Sequence, residues 1–131
     1  MKQSAHKIGA VLYVLWGLLH IFAAYRVYAS AAGIGDPGVA ARIAQGGWNL
    51  GVIAIFAILV GAKLNWNNDR LGYWLNLGVV SAADVGFIVL VLLPGYIPLA
   101  MGLPGPILWL LAVAFSTLGL KQETGGTTPN S

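Results

Sequence analysis

The chain has no cysteine. That excludes a disulfide framework, thiol redox chemistry, Cys-ligated zinc and iron–sulfur clusters. It also separates the chain from four-helix membrane thiol oxidoreductases. Charge is nearly as scarce. Only 8% of 131 residues are charged and 58% are hydrophobic, where soluble domains carry about 25% charged residues. A soluble domain is therefore excluded. The net charge of +3 is too small to indicate nucleic acid, and no nucleic-acid partner is expected. There is no phosphate-binding loop, no His-x-x-x-His, no Glu-x-x-His and no nucleophile elbow. Two histidines, one near the amino end, do not make a multi-histidine metal site, so no metal ligands are assigned.

What is present is apolar sequence in runs long enough to cross a hydrocarbon core, which takes about 20 helical residues. The pattern predicts an all-α integral membrane protein: a bundle of four transmembrane helices over 1–120 and a polar tail over 121–131. Helix 1 is expected over 8–30. It is read as a retained span, because no small-residue cleavage site follows a short apolar core. The segment Gly33-Ile34-Gly35-Asp36-Pro37-Gly38 breaks the chain. Helix 2 is expected from 39 or 40 to 62, and a polar turn over 63–70 separates it from helix 3 at 71–93. Pro94-Gly95 ends helix 3. Helix 4 is expected over 106–120, short for a span, with Pro106 in its first turn. Residues 122–131 are expected to be disordered.

Positive residues give the orientation. Lys2, Lys7, Lys63, Arg70 and Lys121 fall on one side, Arg26 and Arg42 on the other. Positive residues concentrate in the cytoplasm, so both termini are expected there, in the inner membrane of a bacterium. Trp66 and Trp74, and also Tyr25, Arg26 and Tyr28, are read as interface anchors. Asn76 is placed near the cytoplasmic interface, solvated or capping a neighbour.

Asp84 is the only charged residue in 71–120. An ionised Asp at the bilayer centre costs roughly 2.5–3.5 kcal/mol on insertion scales. Such a residue turns inward, finds a partner or does chemistry. His20 is its obvious partner, in a run with no acid, lysine or arginine. It lies twelve residues into helix 1, ~18 Å deep, and Asp84 thirteen residues into helix 3, ~20 Å deep from the same side. Asn49, descending on helix 2, reaches a similar level. A shared polar site follows: His20 and Asp84 as an acid/base pair, Asn49 and Gln45 as substrate-binding amides, and Trp16, Trp48 and Phe87 as apolar walls. The expected ligand is a small apolar molecule, such as an epoxide or isoprenoid, drawn from membrane lipid. Two alternatives stand beside catalysis. The polar groups fix helix register in an accessory or scaffold subunit, or the protein binds a lipid, pigment or quinone. Gly46, Gly47 and Gly51 flatten helix 2 for close contact, and a homo-oligomer is expected.

Several local stretches share a pattern with one known family. Gly17-Leu18-Leu19-His20-Ile21 is similar to its Gly-Leu-Trp-Met-His-Leu, and Pro37-Gly38-Val39-Ala40-Ala41-Arg42 to its Pro-x-Gly-Trp-Ala-Arg. Gln45-Gly46-Gly47-Trp48-Asn49-Leu50-Gly51 follows its His-Ser-Gly-Pro-Ala-Leu-Asn-Gly with a small shift. Asp84-Val85-Gly86-Phe87 is similar to its Asn-Val-Gly-Phe, and Leu103-Pro104-Gly105-Pro106 to its Leu-Gly-Pro-Ser. In this order the chain resembles the styrene oxide isomerases, small four-helix membrane proteins that form trimers and bind heme b. The resemblance implies an isomerase acting on epoxides, and a trimer. It does not carry the heme, because the family's ligating histidine falls on Ala44 or Gln45. No cofactor is therefore expected.

Overall fold

The computed structural model describes residues 4–126 and is helical almost throughout. Helix α1 spans Ala5–Ser30 and passes through a 3-10 turn, Ala31–Gly33, into extended Ile34. Asp36 then caps α2, Pro37–Lys63: its Oδ1 accepts from the Val39 N–H at 2.9 Å, and Pro37 supplies a first-turn residue that needs no partner for an N–H. A 3-10 turn at Asn65–Asn67 and Asn68 in the left-handed region (φ 56°) reverse the chain. Asp69 caps α3, Arg70–Phe87, by accepting from Leu71 and Gly72. The short α4, Leu99–Gly102, leads into α5, Pro104–Gly125.

Four helical segments are long and apolar enough to cross a membrane, including the continuation of α3 to Leu92 and of α4 into α5. Their outward faces expose Leu, Ile, Val and aromatic side chains all round the bundle. A helical surface of that kind belongs in lipid rather than water. Both fold class and membrane character thus follow from the elements themselves.

Two boundaries differ from the sequence reading. Helix 3 does not continue as α-helix to residue 93; after Phe87 it widens into a π turn, Ile88–Leu92. Helix 4 is not short. It starts two residues earlier than expected and runs five residues into the supposed tail. Adding a residue to an existing helix needs no new nucleus, and Asn68 Nδ2 anchors this last turn through the Gly119 carbonyl and the Glu123 carboxylate. The remaining tail, 127–131, lies outside the described residues.

Helix α1 lies between α2 and α5, with α3 across the bundle. Glycines set the close spacing. A Cβ on Gly17 would fall 2.8 Å from the Ala54 carbonyl oxygen of α2, and one on Gly119 would fall 2.7 Å from the His6 backbone nitrogen. Gly47 is likewise spent within the chain, against Ala24 and Tyr28 of α1. Of the three glycines expected to flatten helix 2, Gly47 and Gly51 therefore face α1 and Gly46 does not. Tyr13 and Trp16, with Ala57, Val80 and Ala112 from the other three long helices, form a core closed to solvent.

Candidate functional site

Trp16 and His20 are one turn apart on α1, which puts them on one face. Asp84 reaches that face from α3. The Trp16 indole N–H donates to Asp84 Oδ2 at 3.0 Å. His20 stacks on the Trp16 ring, centroids 3.8 Å apart and planes 20° from parallel. His20 Nδ1 lies 2.7 Å from the Trp16 carbonyl oxygen. A carbonyl only accepts, so Nδ1 carries the hydrogen and donates. Nε2 is then the ring atom left facing Asp84 Oδ1, at 3.7 Å. Trp16 therefore holds both partners: it orients the imidazole by stacking and by its carbonyl, and the carboxyl by its N–H.

The helix start at α5 closes the remaining side. A Cβ on Gly105 would sit 2.9 Å from His20 Cε1, 3.2 Å from Nε2 and 4.0 Å from Asp84 Oδ1. Only glycine leaves room for the ring there. Asp84 is 1% exposed and the His20 side chain 13%. The pair is enclosed, and neither surface groove found beside α1 and α2 is lined by it.

The other expected site residues separate. Phe87 is half-buried on the α3 face that meets α4, with its Cζ 3.6 Å from where a Gly102 Cβ would lie. The π turn follows it at once, four residues after Asp84. Gln45, Trp48 and Asn49 do not join the pair. All three are exposed on the outside of α2, Trp48 by 69%. The depth argument concerned the level of Asn49 alone and said nothing of its direction around the helix. Gly47 claims the side facing α1, and Asn49, two residues on, points away from it. The expected pocket with an amide at its polar end is therefore not formed by this chain alone.

A second polar layer went unread. Asn76 is neither solvated nor a cap: it is fully buried, donating to Asn65 Oδ1 at 2.9 Å and to the Ala57 carbonyl at 3.2 Å. Its signal was in the sequence, since Asn76, Val80 and Asp84 recur every four residues and so share one helix face. Trp109 to Ser81 at 2.9 Å and Tyr73 with Thr117 at 3.0 Å tie α3 to α5 in the same manner. Gly105 had a weaker signal, the Pro-Gly-Pro at the start of α5.

No family model, curated protein or solved structure matches the chain. The likeness to styrene oxide isomerases thus rests on the quoted stretches alone. Among the described residues, no three His, Asp or Glu side chains cluster closely enough to hold a metal ion.

Proposed function

We propose that the protein is a membrane-embedded isomerase acting on a small apolar substrate, with His20 and Asp84 as its acid/base pair. The approach of Nε2 to Oδ1 at 3.7 Å carries this reading. A carboxylate and an unprotonated imidazole nitrogen would present lone pairs to each other, so the arrangement favours one proton held between them. Neutral His with protonated Asp and imidazolium with carboxylate are the two states of that proton. Isomerisation needs no more. With an epoxide, Asp84 gives its proton to the ring oxygen as the C–O bond breaks. His20 Nε2 takes a proton from the adjacent carbon as the C=C bond forms. The proton then passes from imidazolium to carboxylate, and the pair is restored with no oxidant, reductant or water consumed. A double-bond shift runs by the same exchange.

The hydrocarbon surround suits substrates that partition into lipid. By the balance of positive residues, the bundle would lie with both termini in the cytoplasm.

The test uses purified protein in liposomes, offered aryl epoxides, isoprenoid epoxides and unconjugated isoprenoid alkenes. Products are sought at unchanged mass by gas chromatography with mass spectrometry. We expect conversion by the native chain and a loss of about 10²–10⁴-fold in His20→Gln and Asp84→Asn, with helicity retained. No conversion of any class, or an undiminished rate in Asp84→Asn, overturns the reading. One observation favours a second reading, a non-catalytic subunit: the pair is closely enclosed and tied through Trp16, as a register lock between α1 and α3 would be.

A further inference from the structure

Asn49 and Gln45 are in the wrong place for a chain that acts alone. Asn49 lies twelve residues after the start of α2 and fourteen before its end. That is ~18 Å from one end and ~21 Å from the other, close to the middle of a span. Gln45 is one turn away on the same face. Both are exposed, and neither makes a hydrogen bond within the described residues. Each amide carries two N–H donors and a carbonyl acceptor, and hydrocarbon offers none of them a partner. Five polar side chains inside the bundle are treated differently. Trp16, His20, Ser81, Asp84 and Trp109 are hydrogen-bonded inside the chain.

We propose that the Gln45–Asn49 face of α2 is the contact surface for a second copy of this chain. An amide is self-complementary: its donors fit the carbonyl of an identical amide. A repeated surface brought round a symmetry axis therefore satisfies itself without a different partner. Gly46 lies beside these amides with open space where a Cβ would be, so a neighbouring helix can come close. Val52, 53% exposed, continues the face by one turn. The polar groups that the single chain leaves facing lipid become the hydrogen bonds of the assembly. This surface is independent of the acid/base chemistry, and either can fail without the other.

The absence of cysteine gives a direct test. Val52→Cys introduces a single thiol on this face and leaves both amides in place. Leu110→Cys puts one on the exposed face of α5, where Leu110 is 58% exposed. Membranes holding each full-length variant are treated with copper-phenanthroline and run on non-reducing gels. We expect a band at twice the monomer mass for Val52→Cys and little for Leu110→Cys. Adding Asn49→Leu should weaken association roughly fivefold to thirtyfold, the range for one interhelical amide bond, and reduce the band accordingly. The proposal is overturned if Val52→Cys stays monomeric, if Leu110→Cys cross-links as readily, if Asn49→Leu has no effect, or if the adduct has the mass of a different protein.

Discussion

Trp16 and Asp84 are joined across the bundle by a 3.0 Å hydrogen bond from the indole N–H. It links α1 to α3, which lie across the bundle from each other. The same tryptophan stacks on His20 and takes its Nδ1–H. The acid and the base are thus oriented by one residue, the acid by its indole N–H and the base by its ring face and its backbone carbonyl.

Trp16→Phe and Trp16→Ala separate these roles. Phe keeps an aromatic face for His20 but gives Asp84 no donor. It should cost about 1–3 kcal/mol, the range for a buried acceptor left unpaired. Ala loses the stack as well and leaves a cavity, which should cost about 3–5 kcal/mol. Thermal unfolding in detergent measures both. In a double-mutant cycle, Trp16→Phe and Asp84→Leu, which removes the acceptor, should be non-additive; additive losses would show that the bond contributes nothing.

Gly105→Ala should disturb the pair without opening the core. The new Cβ would press on an imidazole already held by a stack and a hydrogen bond. The ring must move, so the ¹⁵N resonances of His20 should shift in NMR spectra, with His6 unaffected as an internal reference. Gly78→Ala is the control, because nothing lies within 4 Å of a Cβ there. Identical His20 spectra in all three proteins would contradict the packing.

Adjacent glycines on α2 should behave differently. A Cβ on Gly47 would fall 2.7 Å from the Tyr28 backbone nitrogen and 2.8 Å from the Ala24 carbonyl. Gly47→Ala must therefore separate α1 from α2, and should destabilise the chain by about 1–3 kcal/mol as overpacking does. Gly46→Ala meets nothing in the chain. It should leave the melting temperature of the monomer unchanged while altering the oligomer seen by native mass spectrometry. Equal effects of the two changes on stability would count against the α1–α2 register.

Asn76→Leu should be more damaging than its distance from the pair suggests. It removes the donor that Asn65 Oδ1 uses in a fully buried site, at a cost of about 1–3 kcal/mol. Unfolding should show that loss. A variant as stable as the native chain would mean that the Asn65–Asn76 layer does not hold α3 to the turn before it.

The sequence by itself determined the four helices, because apolar run length against membrane thickness leaves little choice of fold. It determined their breaks, because Asp36-Pro37, Asn68-Asp69 and Pro94-Gly95 have turn and cap chemistry that acts locally. It also brought His20 and Asp84 to one level, since rise per residue converts position into depth. Only the tertiary structure decided direction around each helix axis. That angle depends on which side neighbouring helices occupy, and here glycine contacts set it. Trp16 faces Asp84, while Asn49 and Gln45 face outward although rise per residue had put Asn49 near the level of the pair. The role of Gly105 depends on where α5 begins, beside His20, whereas the burial of Asn76 was already implied by the face it shares with Val80 and Asp84. Depth is a one-dimensional property of a chain, and a site is a three-dimensional one.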